Sequence, residues 1–396
     1  MKQTHWRAKM LAYLSKNKDK VVTLLSGLIR IPTVNPPGEN YEVMVSFIDK
    51  ECKKLGLKTK KYLTPKALLD KFGLDQGSKR ISLVADWSTG AKKTLHINSH
   101  YDVVPATDNW RTDPFKAVIK GNKIYGRGSE DMKGNIACVL FALQAMKAAG
   151  VEPKINIQLS FTPDEEIGGM TGLGYLVQKN FVKADYAMSE GYSGNYVSIG
   201  NKGVLWGEVT VKGKAHHASI PYKGVNAFDR MLVLAGEIKR LQARLSKRKT
   251  RYKMRDSISR RPTLVMGGNV TGGVKVNVVP GEATFSIDRR VIPEESILKA
   301  TEEILEIVRR FNKKYKDSKA YVKFMAAGEP AISKKNKNFF ETVSRAVGKV
   351  TGKSAKFCLL PGATDVRYFM WKGIPSLGYS ARGGESWHSD NEFVYI

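Results

Sequence analysis

Short apolar runs alternate with amphipathic segments through the first 200 residues of the chain. Ile81–Ala85, Thr94–Asn98 and Ile155–Phe161 have the length and the alternation of β-strands. Between the last two lies Met132–Ala149, a stretch of helical length that Gly150 ends. Strands that alternate with helices in this way predict an α/β protein built on a layered sheet.

The pattern changes after about Gly200, where strand-like and helix-like segments are grouped differently. The strand-like segments are Val204–Lys212, Thr263–Gly267, Lys275–Val279 and Glu282–Arg289, and the helix-like ones are Val225–Leu245 and Glu294–Phe311. From Tyr321 onward, strand and helix alternate again. A chain of 396 residues is long for one hydrophobic core. We therefore predict an α/β domain made of residues 1–199 and 319–396, interrupted by an inserted α+β domain at 200–318.

Composition excludes several classes of protein. No run of eighteen apolar residues occurs, so we expect no membrane span. Lysines interrupt the apolar residues of the N-terminus too often for a signal peptide. The three cysteines form no C-x-x-C pair, which argues against a disulfide framework and a thiolate zinc site. These features predict a cytoplasmic protein.

The net charge is unusual, because 66 Lys and Arg stand against 37 Asp and Glu, giving +29. Charge of this size favours association with polyanions, or the steering of an anionic substrate. Nucleic-acid binding is therefore a remote alternative, with Lys239–Arg261 as its footprint. That stretch holds eleven basic residues, but its only aromatic residue is Tyr252 and it carries no known binding motif. A solvated basic face is the preferred interpretation, and we expect no nucleic-acid partner.

Potential metal ligands lie at the ends of predicted strands or in loops. They are His100, Asp102, Asp131, Glu165, Glu166, Glu190 and His388. Open α/β sheets build their sites just beyond the carboxyl ends of strands. Imidazoles and carboxylates without thiolates suit zinc, cobalt or manganese. Taken singly each residue has an ordinary alternative: Asp131, for example, precedes a helix and could be its N-cap.

Two of these groups have spacings with a chemical meaning. A carboxylate at Asp102 can hydrogen-bond the second ring nitrogen of His100 and so fix its tautomer. The adjacent Glu165 and Glu166 could be a solvated acidic turn. They can also divide labour, because one carboxylate can bind metal while the other moves a proton.

Eight stretches, in this order along the chain, resemble the co-catalytic zinc aminoacylases and exopeptidases. That group includes acetylornithine deacetylase, succinyl-diaminopimelate desuccinylase and glutamate carboxypeptidase. The stretches are SHYDVVP at 99–105, YGRGSEDMKG at 125–134, TPDEEIGG at 162–169, SEG at 189–191, GKAHHASIP at 213–221, NVVP at 277–280, IDRR at 287–290 and HSDNE at 388–392. The resemblance implies a zinc exopeptidase-like catalytic domain with a mixed sheet, and an inserted α+β domain that serves as lid and dimerisation unit.

The resemblance also implies two divalent metal ions per chain, with zinc favoured and cobalt or manganese as alternatives. Asp131 would bridge the two ions. His100 and Glu190 would complete the ligands of one ion, and Glu166 and His388 those of the other.

The same comparison assigns the neighbouring groups. Asp102 would orient His100, and Glu165 would be the general base that moves a proton from water to the leaving amine. The peptide bond between Asp131 and Met132 is expected to be cis.

The inserted domain and a later loop would supply the substrate contacts, which are His217, Asn277, Arg290, Gly362 and Thr364. The resemblance implies that His217 reaches a substrate carbonyl, often across a dimer interface. Asn277 and Arg290 would bind the substrate carboxylate or the oxyanion. Two competing interpretations remain open: a surface position for His217, and a plain ion pair of Arg290 with Asp288.

These expectations together predict a metal-dependent hydrolase that cleaves the amide bond of an N-acyl amino acid. The substrate would carry a free carboxylate, and the enzyme would be a homodimer. A metallo-carboxypeptidase or dipeptidase with the same site is the main alternative, because both substrate types present an amide beside a carboxylate.

Overall fold

The structure is a computed structural model that describes residues 2–74, 78–384 and 386–396, with side chains from residue 6 onward. It contains two compact units. The first comprises the chain up to Ile199 together with Ser333–Phe357 and Thr364–Ile396. The second comprises Gly200–Ile332 and Cys358–Ala363.

The described residues form ten α-helices and eighteen strands. The helices are α1 Lys2–Lys16, α2 Lys18–Ile29, α3 Tyr41–Lys54, α4 Lys66–Lys71, α5 Lys133–Ala148, α6 Leu173–Gln178, α7 Ala227–Leu245, α8 Ile297–Lys314, α9 Lys337–Thr351 and α10 Arg367–Trp371. The strands are β1 Lys58–Leu63, β2 Ile81–Trp87, β3 Thr94–His100, β4 Val118–Lys120, β5 Lys123–Tyr125, β6 Asn156–Thr162, β7 Tyr186–Ser189, β8 Tyr196–Asn201, β9 Gly203–Lys212, β10 His216–His217, β11 Thr263–Gly272, β12 Val278–Val279, β13 Glu282–Val291, β14 Lys319–Gly328, β15 Ala331–Ile332, β16 Lys356–Leu360, β17 Ser376–Gly378 and β18 Phe393–Tyr395.

The main sheet of the first unit is mixed. Its strands run in the order β1–β2–β6–β3–β7–β17–β8. The neighbours β6, β3, β7 and β17 are mutually parallel, whereas β1, β2 and β8 pair antiparallel with their neighbours. This arrangement confirms the predicted α/β class with a mixed sheet.

Helices cover the parallel strands because their apolar faces are buried against the sheet. Leu28 of α2, Ile48 of α3 and Ile136 of α5 are fully buried in one apolar cluster with Leu83 of β2 and Leu159 of β6. Burying side chains of this size contributes roughly 1.5–3 kcal/mol each. The central strands are thereby held in place, and so are the loops that follow them.

The second unit is built on a four-stranded antiparallel sheet in the order β11–β13–β9–β14. Helices α7 and α8 bury Leu234 and Ile304 against Val209 and Phe285 of the sheet. Strand β14 pairs with β9 along its length, so the unit continues to Ile332. The predicted domain boundary at residue 318 is therefore too early, because β14 completes this sheet rather than returning to the first unit.

No helix within the described ranges is both long enough and apolar enough to cross a membrane.

Candidate metal centre

The parallel strands of the first unit bring the predicted ligands to one edge of the sheet. Strand β3 ends at His100, which lies opposite Thr162, the last residue of β6. The turn that carries Glu165 and Glu166 follows β6, and Glu190 follows β7. Because parallel strands present their carboxyl ends at the same edge, these side chains converge there.

Asp131 comes from the loop that joins β5 to α5. The Asp131–Met132 peptide is cis, which agrees with the resemblance noted in the sequence. Met132 occupies the N-cap position of α5, and its side chain makes no capping hydrogen bond. The N-cap interpretation of Asp131 is therefore wrong: its carboxylate faces two imidazole rings instead.

The Asp131 carboxylate lies between two groups of potential ligands. Its Oδ1 is 3.0 Å from Nε2 of His100, and its Oδ2 is 3.4 Å from Nε2 of His388. The same His388 nitrogen is 2.9 Å from Oε2 of Glu166. Each Asp131 oxygen thus faces a different imidazole ring.

Among the described residues, His100, Asp131 and Glu166 form a group whose ligand atoms lie within 4.8 Å of one another. Glu190 lies at the same edge but outside that group. Its carboxylate accepts hydrogen bonds from the backbone N–H of Asp365, at 2.5 Å, and from the Ser189 hydroxyl.

Asp102 contacts both His100 and the glutamate turn. Nδ1 of His100 lies 3.1 Å from the Asp102 carbonyl oxygen and 3.5 Å from its carboxylate. A carbonyl oxygen only accepts, so Nδ1 carries the hydrogen and Nε2 is directed at Asp131. The Asp102 carboxylate itself accepts the backbone N–H groups of Glu165 and Glu166, each at 3.2 Å. Asp102 therefore orients His100 through its main chain and shapes the glutamate turn through its side chain.

Carboxylates crowd this edge and perturb one another. Burial, reinforced by the other carboxylates, raises the pKa of Glu165 well above its usual value. Burial likewise raises the pKa of Glu166 to about 7 and that of Asp365 to about 8. Hydrogen bonds to Asp131 and Glu166 raise the pKa of His388 to about 10. Buried acids that resist ionisation mark a place where added positive charge is favourable.

The residues present fit divalent cations. The donor set consists of imidazole nitrogens and carboxylate oxygens, which zinc, cobalt and manganese accept. Oε1 of Glu166 is buried and has no hydrogen-bond partner among the described residues. A buried carboxylate oxygen in that state is costly unless a cation or a donor reaches it.

A buried network behind the site was not assigned from the sequence. Nδ2 of Asn35 donates to Asp102 at 2.9 Å and to Asp164 at 3.1 Å. The Tyr41 hydroxyl donates to Asp164 at 3.1 Å, and Nε of Arg80 lies 3.4 Å from the same carboxylate. Asp164 immediately precedes Glu165 within the TPDEE stretch, and its backbone is left-handed, with φ of 66°. The position of Asp164 in that motif was the available signal.

The loop after β16 contributes to the same unit from Thr364 onward. Within the described ranges, the buried hydroxyl oxygen of Thr364 and both buried carboxylate oxygens of Asp365 have no hydrogen-bond partner. Arg367 donates to the carbonyl oxygen of Gly168 at 2.6 Å and lies 4.0 Å from Asp365. Gly362 belongs to the second unit, and a Cβ there would meet no atom within 4 Å.

The predicted substrate residues of the second unit fall in two places. His217 is exposed and pairs with Val278, next to Asn277, which is also exposed. Arg290 lies near the far end of β13, eight residues or about 26 Å from Glu282. Two of its guanidinium nitrogens bind the Asp288 carboxylate at 2.8 and 2.9 Å. The interpretation of Arg290 as the partner of Asp288 in a plain ion pair therefore describes its contacts. Arg290 thus lies within β13 near its end, whereas Asn277 precedes the start of that strand.

Comparisons with known proteins agree with this fold. The sequence model of peptidase family M20/M25/M40 matches residues 96–396. The chain is 30% identical to an uncharacterized metallohydrolase of Methanocaldococcus jannaschii, over 96% of this chain and 95% of that protein. It is 28% identical to mouse aminoacylase-1, over 91% and 86% of the two chains. The dipeptidase Dug1p of Saccharomyces cerevisiae shares the fold, with a TM-score of 0.81 at 19% identity. The match covers 98% of this chain and 94% of that protein.

Proposed function

The chain belongs to peptidase family M20/M25/M40 and is a metal-dependent hydrolase, and we propose that it hydrolyses the amide bond of an N-acyl amino acid. The observation that carries the proposal is the Asp131 carboxylate, whose two oxygens face His100 on one side and His388 on the other. Similarity to aminoacylase-1 supports the substrate class.

Two divalent ions per chain, with zinc favoured and cobalt or manganese as alternatives, belong to this proposal. Asp131 would be shared between them. His100 and Glu190 would serve one ion, and Glu166 and His388 the other. When bound, such a pair acidifies a water and polarises the scissile carbonyl.

Glu165 is the proposed proton carrier. Its carboxyl group stands next to Glu166, and burial raises its pKa, which makes its carboxylate a stronger base than an exposed glutamate. It would remove a proton from the attacking water and deliver it to the leaving amine nitrogen. Asp102 would keep the glutamate turn in place through its bonds to the backbone N–H groups of Glu165 and Glu166.

A free carboxylate on the substrate is part of the same proposal, with Arg290 as its partner. The Arg290 guanidinium already binds Asp288 in a fork and is one-quarter exposed, so a substrate carboxylate would share or replace that aspartate. A guanidinium fork matches the geometry of a carboxylate. Thr364 and Gly362, on the loop after β16, would also contact the substrate.

We further propose a homodimer in which the second unit of one chain serves the other. His217 and Asn277 are exposed neighbours, free to contact a partner chain. Strand β11 is an unpaired edge of its sheet and exposes Val265 and Val270. Exposed apolar edges are typical of surfaces that pair with another strand. Sedimentation at micromolar concentration should give twice the chain mass, and a monomer would remove any role of His217 in a neighbouring site.

The substrate proposal is tested with a matched panel of N-acetyl and N-succinyl amino acids and of dipeptides, each assayed with metal and after exhaustive chelation. Metal-dependent cleavage of the acyl amino acids, faster than that of the dipeptides, is expected. Faster cleavage of the dipeptides would favour the carboxypeptidase or dipeptidase alternative. Equal cleavage of free-acid and amidated substrates would contradict the carboxylate requirement.

A further inference from the structure

A buried ion pair lies beside the candidate metal centre without being part of its ligand set. Arg127 and Glu392 are each 1% exposed, and Nη1 of Arg127 is 2.9 Å from Oε2 of Glu392. A buried pair of this kind is poor support for stability alone, because the desolvation cost can exceed the attraction. Its other contacts therefore decide what it does.

The Glu392 carboxylate binds the loop that carries Asp131. Oε1 accepts the backbone N–H groups of Glu130 at 2.8 Å and Asp131 at 3.0 Å. Oε2 accepts the N–H of Gly128 at 3.1 Å in addition to Arg127. Three backbone donors from a stretch of four residues thus converge on one carboxylate, which acts as the anion that such a turn requires.

The Arg127 guanidinium binds the other chain segments at the site. It donates to the carbonyl oxygens of Ser389 at 3.1 Å and of Pro105 at 3.3 Å. Ser389 directly follows His388, and Pro105 lies on the segment that leaves Asp102. The pair therefore joins the three segments that present the histidines and the shared aspartate.

The segment that carries His388 has an unfavourable backbone. His388 has φ of 59° and Asn391 has φ of 58°, both in the left-handed region that non-glycine residues rarely adopt. Such conformations persist where surrounding contacts fix them. Glu392 and its arginine provide those contacts at the end of the segment.

We infer that Glu392 is a positioning residue of the metal centre: it fixes the loop that presents Asp131 and, through Arg127, the main chain that presents His388. The inference rests on the proposed two-metal site. Substitution of a residue that hydrogen-bonds and orients metal ligands typically lowers the metal affinity by about 10–100-fold.

Glu392→Gln is the sharpest test, because the amide cannot satisfy both pairs of donors. Its oxygen can accept from only one pair, and its NH2 group then faces the other pair of donors. The full-length chain is stripped of metal, and its affinity for Co²⁺ is measured by competition with a chromophoric chelator. The expected loss of affinity is about 10–100-fold, with a change in the visible absorption spectrum of the Co²⁺-loaded protein.

Glu295→Gln is the matched control. The side chain of Glu295 is 7% exposed, accepts Arg289 at 3.1 Å and the backbone N–H of Ile292 at 3.2 Å, and lies in the second unit. The Glu295→Gln variant should lose thermal stability in the metal-free state, while its Co²⁺ affinity and the absorption spectrum of its Co²⁺-loaded form stay unchanged. A general effect of disrupting a buried ion pair would appear in both variants.

The outcomes separate this inference from the proposed function. If the unmutated protein binds no Co²⁺, the metal centre itself is wrong and the inference falls with it. If it binds Co²⁺ and Glu392→Gln binds as tightly with the same spectrum, only the positioning role is overturned. Should Glu392→Gln fail to fold, Arg127→Lys decides. Its ammonium cannot reach Glu392, Pro105 and Ser389 together, so weaker Co²⁺ binding supports the inference and unchanged binding overturns it.

Discussion

Glu165 and Glu166 are adjacent, yet the structure gives them different surroundings, and substitution should separate them. Oε2 of Glu166 is 2.9 Å from the His388 ring, and Glu166 belongs to the group of ligand atoms around Asp131. Glu165 is outside that group, and burial raises the pKa of its carboxyl group well above the usual value. We therefore expect Glu165→Gln to affect proton transfer and Glu166→Gln to affect metal binding.

The expected magnitudes differ in kind. Glu165→Gln keeps the shape of the side chain but cannot accept a proton, so kcat should fall at least roughly 10²-fold, or about 2.7 kcal/mol of transition-state stabilisation. Its metal content should stay at about two ions per chain. Glu166→Gln replaces an anionic ligand by a neutral amide, so it should retain about one ion per chain after gel filtration.

Metal analysis by mass spectrometry and steady-state kinetics with rising zinc concentration distinguish the two variants. Added zinc should restore part of the activity of Glu166→Gln and none of that of Glu165→Gln. Glu237→Gln, an exposed residue of α7 paired with Arg240, is the control and should match the unmutated protein in both assays. If Glu165→Gln lost metal and Glu166→Gln kept both ions while losing activity, the division of labour would be reversed.

Three further predictions concern other parts of the chain. Asp131→Ala should bind neither ion, because one carboxylate is shared, and metal analysis would show full loss; retention of one ion would contradict the bridging role. Arg290→Ala should lower kcat/KM for free-acid substrates by a factor that corresponds to about 2–5 kcal/mol of lost binding free energy, and it should spare amidated substrates. Arg290→Lys should restore only part of that loss. Burial lowers the pKa of His96 to about 4, so the folded state excludes a proton that the unfolded chain binds below pH 6.5. Stability of the metal-free protein should therefore fall from pH 6.5 to 4, by up to about 3 kcal/mol for this group, and His96→Gln should flatten that slope in urea unfolding.

The parts of the fold that follow from local pattern could be predicted from the sequence. The strand predicted at Thr94–Asn98 is found at Thr94–His100, and the helix predicted at Met132–Ala149 is found at Lys133–Ala148. Their apolar pattern and the residues that end them are local features of the sequence, so these elements can be predicted without knowledge of the tertiary structure. Lys275–Val279 was predicted as a strand, but only Val278–Val279 pairs. Alternating valines indicate a strand whether or not a partner strand is present.

The metal ligands could be predicted from the sequence, but the residues that position those ligands could not. His100, Asp131 and Glu166 each stand in a short motif, and their side chains have the chemistry of metal ligands whatever surrounds them. Glu392, in contrast, acts on residues more than 260 positions earlier in the chain, and a single glutamate in HSDNE does not indicate which donors it will meet.

The same distinction separates Asp164 from the glutamates that follow it. Its partners Asn35 and Tyr41 come from the first helix-rich segment, more than 120 residues before it. Ligands are recognisable because chemistry restricts their residue type, whereas the groups that orient them are restricted only by geometry. A hydrogen-bonding side chain of any type could fill such a role if it reached the same donors. We therefore expect substitutions at Asp164 and Glu392 to weaken metal binding while leaving every predicted ligand in the chain.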